Sequence, residues 1–192
     1  MAAAFLVVAL GIPLTASADP RSTYQTADFH TFPDGVGVVG SAGTLFRTKK
    51  AVEVHLATSG LDANSSYTVW WVVWNDPSAC GTNPCGLADL GGPGNSVFYA
   101  AGFVTDSSGT ANVTAHLSSG KLPDGITVLI PGGLHKNNGF DAELHMIVQS
   151  HGPIWPGRVS EQIGDFFGAC NPVCVDQIAI IFLPTGTGND SD

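Results

Sequence analysis

Residues 67–74 carry the sequence Tyr-Thr-Val-Trp-Trp-Val-Val-Trp, in which both alternating sets of side chains are largely apolar or aromatic. β-Branched and aromatic residues favour strands, and a strand that is apolar on both faces is usually covered on both sides. This stretch therefore predicts a central strand that is buried from two directions.

Other short stretches on either side of this run also have strand patterns. In 51–57, Val52, Val54 and Leu56 share one face, while Glu53 and His55 share the other. The 24 Gly and 12 Pro residues punctuate the chain and exclude a helical bundle. We predict an all-β fold, an antiparallel β-sandwich or jelly roll of about seven to eight strands. The remaining predicted strands are 36–46, 97–105, 110–117, 126–130, 142–150 and 177–183.

Two long loops of the predicted fold each hold a pair of cysteines, Cys80 with Cys85 and Cys170 with Cys174. Four cysteines allow three disulfide connectivities. The two local pairs are favoured because each lies in a Pro-containing turn that folds back on itself. The alternative is a zinc site with all four cysteines as ligands, but export favours oxidation.

The amino-terminal segment predicts export. Residues 5–14 are almost wholly apolar, and the small residues Ala16, Ser17 and Ala18 suit signal peptidase, so residues 1–18 are a predicted signal peptide. The remainder divides into one predicted β-domain at 19–184 and a polar tail at 185–192. No later stretch reaches the roughly 20 apolar residues of a spanning helix, so the mature chain is predicted to lack a membrane span and to be extracellular or periplasmic.

The charge balance restricts the partners. Seven Lys and Arg against sixteen Asp and Glu give a net charge of −9. Nucleic acids and anionic membranes are bound by clustered basic residues, so neither is an expected partner. The chain also lacks a phosphate-binding Gly-rich loop and a nucleophile elbow, and no organic cofactor is expected.

Three segments together resemble a group of secreted bacterial proteins with an export signal, an all-β body and no assigned activity. They are residues 67–86 (YTVWWVVWNDPSACGTNPCG), residues 143–157 (ELHMIVQSHGPIWPG) and residues 161–177 with their cysteine pair. The resemblance covers most of the mature chain. It implies export, a β-sandwich and disulfides in the loops, and it supplies no catalytic residue.

A repeated Glu-x-His motif is the most specific chemical pattern in the sequence. Glu53 with His55, and Glu143 with His145, each place a carboxylate and an imidazole on one face of a predicted strand. If the two strands are neighbours, these groups and His116 could hold a divalent transition metal. The alternative is that the motifs form the solvent faces of two amphipathic strands, where polar residues alternate without any function.

Two further residues are candidates for contact with a ligand. Trp155 lies in a loop between Ile154 and Pro156, where an aromatic ring can serve as a binding surface. His151 lies where a strand is predicted to end, a place suited to a general base or a ligand contact. The alternative is a turn residue whose imidazole hydrogen-bonds to the backbone.

Two functions are consistent with these patterns. The first is a secreted, non-enzymatic binding or structural domain, which the absence of catalytic motifs and the two disulfide-bearing loops favour. The second is a metal-binding protein or metal-dependent enzyme that uses the two Glu-x-His motifs.

Overall fold

The computed structural model describes residues 22–186, which form nine antiparallel strands, one short α-helix and two 3-10 helices, Pro77–Ala79 and Leu87–Asp89. The predicted signal peptide, and residues 187–192 of the predicted tail, lie outside the described residues. In chain order the elements are β1 (Ser22–Thr31), β2 (Gly37–Thr48), β3 (Ala51–Thr58), β4 (Ser65–Trp74), β5 (Asn95–Val104), β6 (Ala111–Ser118), β7 (Val128–Ile130), β8 (Glu143–Pro153), α1 (Val159–Gln162) and β9 (Val175–Phe182).

The nine strands form one curled sheet in the order β6-β3-β2-β1-β9-β8-β4-β5-β7. β6 lies against β5, and the two halves of the sheet face each other across a shared core. The predicted all-β, antiparallel class is confirmed.

The core consists of the inward-facing side chains of both halves. Val52, Val54 and Leu56 of β3 pack in the same cluster as Trp71 and Val73 of β4. The period of two in the sequence of β3 therefore assigns its faces correctly, because one face meets the core and the other meets solvent. Every residue of β4 is buried, as the apolar character of both its faces predicts.

β1 is the strand that the sequence does not reveal. Its inward-facing positions include Thr23 and Gln25, so the strand lacks the apolar alternation by which strands are recognised. The side chain of Gln25 accepts a hydrogen bond from Nε of Arg47 on β2, a residue that is fully buried. The buried guanidinium group therefore explains the polar residue at position 25, whereas the buried Oγ1 of Thr23 has no hydrogen-bond partner among the described residues.

Arg47 holds three parts of the chain together. Its Nη1 atom donates hydrogen bonds of 2.9 Å to the carbonyls of Gly139 and Ala142, and its Nη2 atom donates to Phe182 and Leu183 at 3.1 Å. With the bond to Gln25, all five N–H groups are satisfied. Burial lowers the pKa of Arg47 to about 10, partly opposed by Asp141.

Within residues 22–186, no helix is both long enough and apolar enough to span a membrane.

Candidate functional site

Two loops, residues 75–94 and residues 154–174, cover the outer face of the sheet at β4, β5 and β8. Each loop is closed by a disulfide, Cys80–Cys85 with a Cα–Cα distance of 5.4 Å and Cys170–Cys174 with one of 5.0 Å, so the predicted local pairing is confirmed. The alternative of a zinc site with four cysteine ligands is wrong, because the structure contains no free cysteine among the described residues.

The first loop is held in shape by Asp89. Its carboxylate accepts hydrogen bonds from the backbone N–H groups of Gly81 and Gly86, both at 2.7 Å, and from the hydroxyl of Thr82 at 3.1 Å. These bonds, with that from Gly86 largest, lower the pKa of Asp89. The loop is therefore ordered by a carboxylate that is ionised at neutral pH.

Beneath this loop lies a buried pair of titratable side chains. Oε1 of Glu143 accepts a 2.8 Å hydrogen bond from the backbone N–H of Cys85 and lies 2.7 Å from Nε2 of His145. The ring of His145 packs against Trp74, with 4.4 Å between ring centroids. Glu143 is 2% exposed. The second Glu-x-His motif is thus covered by the disulfide loop and does not form a solvent face.

Glu143 lines a groove of about 560 Å³ that opens to solvent. Its Oε2 atom makes no hydrogen bond with any of residues 22–186, although its Oε1 atom receives two. The groove runs between the first disulfide loop and the chain that leaves β9. Its other lining residues are Pro77, Ser78, Cys80, Gly81, Thr82, Asn83, Leu183 and Pro184.

The structure does not bring the two Glu-x-His motifs together. Glu53 and His55 lie on β3, which is separated from β8 by β2, β1 and β9. Their side chains are 40% and 60% exposed and hydrogen-bond to each other at 2.8 Å. His116 on β6 faces Glu53 in register, so three of the five predicted metal ligands share one exposed surface. The strand order therefore does not allow a single metal site built from both motifs.

His151 and Trp155 differ in their access to a ligand. His151 lies within β8 and is fully buried, and its imidazole makes the predicted alternative contact, a hydrogen bond to a backbone carbonyl of the neighbouring loop. Its contact with a ligand stays a prediction. Trp155 is 40% exposed, and the guanidinium of Arg158 lies 4.6 Å from the centroid of its ring. Arg158 therefore already occupies one face of the predicted binding surface.

His151 belongs to a chain of buried hydrogen bonds. Nε1 of Trp70 donates to Oγ1 of Thr68 at 2.8 Å, and that hydroxyl lies 2.9 Å from Nε2 of His151. Nδ1 of the imidazole lies 2.8 Å from the carbonyl of Gly168, which fixes Nδ1 as the protonated nitrogen. Burial lowers the pKa of His151, against a smaller opposite effect from Gly168.

The imidazole of His151 also lies beside the second disulfide. Nδ1 is 3.2 Å from Sγ of Cys174, and the ligand-type atoms of His151, Cys170 and Cys174 all lie within 4.8 Å of one another. The cluster combines types of donor that bind transition metals, with both sulfurs held in the disulfide.

No family model, curated protein or solved structure matches this chain. The resemblance to secreted bacterial β-proteins therefore stays a prediction, and the site is interpreted from its own geometry.

Proposed function

We propose that the protein is a non-enzymatic extracellular binding domain whose groove receives a cationic ligand at Glu143. The observation that supports this is a carboxylate, 2% exposed, with one oxygen bonded twice and the other without a hydrogen bond among the described residues, at the wall of an open groove. A buried carboxylate is stable only where its charge and its acceptor sites are compensated.

The rest of the groove favours a particular shape of cation. Pro77, Leu183 and Pro184 offer apolar surface, and Thr82 and Asn83 offer neutral hydrogen-bonding groups. A ligand with an ammonium or guanidinium group on an aliphatic stem would pack its stem against these apolar residues. Its N–H donors would then lie at Oε2 of Glu143. The net charge of −9 would attract such a ligand from a distance.

A hydrolytic function has less support from this groove. The hydroxyl of Ser78 donates to Asp76 at 2.6 Å, so it is not paired with the imidazole of His145. His145 instead uses Nε2 to contact Glu143. A serine nucleophile requires an adjacent general base, which this arrangement does not supply.

The test uses Nα-acetyl-lysine methylamide and Nα-acetyl-arginine methylamide as ligands, with the uncharged Nα-acetyl-norleucine methylamide for comparison. Binding is followed by amide chemical shifts in an NMR titration at low salt. We expect saturable shifts at Cys85 and Thr82 with at least one cationic probe, and at least tenfold weaker binding by Glu143→Gln. Added salt should weaken the binding.

Glu53→Gln is the matched control, because Glu53 occupies the same Glu-x-His motif on the exposed surface of β3. It should bind like the wild type. In the Glu143→Gln variant the amide oxygen of the introduced side chain can still accept from Cys85, so this variant should retain the fold, which its amide spectrum would show. Equal binding by the wild type and the Glu143→Gln variant, or equal binding of the norleucine derivative, would overturn the proposal.

A further inference from the structure

We propose that His151, Cys170 and Cys174 form a zinc site once the Cys170–Cys174 disulfide is reduced. The three ligand-type atoms lie within 4.8 Å of one another, and the imidazole nitrogen closest to Cys174 is 3.2 Å from its sulfur. The site is separate from the groove at Glu143, and it does not depend on the binding function proposed above.

The segment that carries the two cysteines is held against the backbone of His151 independently of the disulfide. The backbone N–H of Asn171 donates to the carbonyl of His151 at 2.8 Å. Gly152 permits this approach, since a Cβ atom there would lie 1.8 Å from the carbonyl oxygen of Asn171. His151 itself is on β8, a central strand. Reduction therefore leaves the two thiols close to a fixed imidazole.

The chemistry proceeds in two balanced steps. A dithiol transfers two electrons and two protons to the S–S bond, so that two protein thiols form and the dithiol becomes a disulfide. With a phosphine, water supplies the two protons, and its oxygen ends in the phosphine oxide. Zn²⁺ then displaces one proton from each thiol and binds two thiolates and one imidazole. Water completes the four-coordinate shell that zinc prefers. In the oxidised protein the sulfurs are bonded to each other and cannot act as thiolate ligands.

Thr68 is placed to position the imidazole for this role. When Nδ1 binds the metal, the ring proton must reside on Nε2, which lies 2.9 Å from Oγ1 of Thr68. Metal-bound imidazoles generally donate the other ring N–H to an acceptor of this kind. Thr68 Oγ1 can accept from both His151 and Trp70, provided that its own proton turns away from the ring. Metal binding therefore requires a change of tautomer at His151.

The experiment uses Cys80→Ser/Cys85→Ser, in which the only remaining cysteines are Cys170 and Cys174. Zinc affinity is measured by competition with a chromophoric chelator, before and after reduction with a phosphine and removal of the excess. Co²⁺ is added in parallel, because its thiolate charge-transfer bands report sulfur ligation. We expect one equivalent of zinc in the reduced protein and none in the oxidised protein.

Two further proteins test the ligand set. Reduced Cys170→Ser/Cys174→Ser, which retains the first cysteine pair, should bind no zinc at this affinity. In the Cys80→Ser/Cys85→Ser background, Thr68→Val should weaken zinc binding by about 10- to 100-fold. Tryptophan fluorescence verifies that each variant is folded.

Two outcomes would overturn the site. The first is that the reduced Cys80→Ser/Cys85→Ser protein binds zinc no more tightly than the reduced Cys170→Ser/Cys174→Ser protein. The second is that the reduced protein binds zinc equally well when unfolded in urea, because two nearby thiols in a flexible chain would then suffice without His151.

Discussion

The backbone N–H of Cys85 donates a 2.8 Å hydrogen bond to Oε1 of Glu143, which attaches the first disulfide loop to β8. Cys85 is itself buried. The loop is therefore fixed to the sheet by a buried carboxylate as well as being closed on itself by a disulfide.

Glu143→Ala should release this loop, whereas Glu143→Gln should hold it, because only the amide can replace the lost acceptor. We expect hydrogen exchange at the amide of Cys85 to be at least tenfold faster in Glu143→Ala than in Glu143→Gln, in keeping with a buried donor left unsatisfied. Exchange at Thr114, on the outer face of β6, should be unchanged. Equal rates at Cys85 in the two variants would show that the bond does not hold the loop.

Removal of the buried guanidinium should be among the most damaging single changes. Arg47→Met removes the guanidinium donors from four carbonyls and from Gln25, and of these carbonyls Leu183 keeps a 2.8 Å bond from Nε2 of Gln25. We expect the substitution to lower the free energy of unfolding by about 3 kcal/mol or more. Lys121→Met is the control, since Lys121 forms an exposed pair with Asp124 and should change stability by less than about 0.5 kcal/mol. Urea unfolding measures both. Similar small losses would mean that the carbonyls find other donors.

The packing of β4 can be tested in the same way. Trp71 is 1% exposed in the main core, and Trp71→Ala should lower the free energy of unfolding by about 3–5 kcal/mol. Thr114 is exposed on β6, and Thr114→Ala should cost less than about 0.5 kcal/mol. Comparable losses from the two substitutions would contradict the assigned faces.

Gly102 lets the second disulfide loop pack against β5. A Cβ atom at this position would lie 1.9 Å from the carbonyl oxygen of Ile163, so Gly102→Ala must displace backbone. We expect a loss of about 1–3 kcal/mol and faster proteolysis within residues 154–174. Gly37→Ala is the control, because a Cβ there meets nothing within 4 Å. Unchanged proteolysis in Gly102→Ala would contradict this packing.

Two histidines should make stability depend on pH. Burial lowers the pKa of His30, with a smaller contribution from His145, and burial also lowers the pKa of His151. As pH falls through about 6.5, the unfolded chain binds protons that the folded chain does not, so the free energy of unfolding should decrease. Urea unfolding between about pH 8 and 5.5 measures this. His30→Gln should reduce the decrease, and an increase in stability over this range would contradict the prediction.

The alternation of apolar and polar residues predicts much of this fold, because one face of most strands packs against the core. β3 alternates cleanly, and the faces assigned to it agree with the burial of each residue; the burial of β6 has the same period of two. β1 could not be found in this way, since the inward position of Gln25 serves Arg47, whose partners are distant in the sequence. Hydrophobic periodicity carries no information about such a buried polar contact.

The site depends on strand order and loop placement, which sequence spacing does not determine. Glu53 and Glu143 occur in identical motifs, yet one is exposed and the other lies beneath a disulfide loop. The loop itself is visible in the sequence as a long Pro- and Gly-rich segment holding a cysteine pair. The loop begins directly after Trp74, the last residue of β4, and Trp74 pairs with Glu143 of β8. The position of the loop over β8 therefore depends on the pairing of β4 with β8.

The contacts of Arg47 also have a consequence for the order of assembly. Its carbonyl partners are 92 to 136 positions further along the chain. The last two belong to Phe182, which ends β9, and to Leu183, which follows it. If the β2–β3 hairpin packed into a core before residues 182–183 had docked, the guanidinium of Arg47 would be buried without these carbonyl partners. Partly folded states are thus penalised, and the chain should fold slowly, in a single cooperative step that awaits its carboxyl-terminal strand.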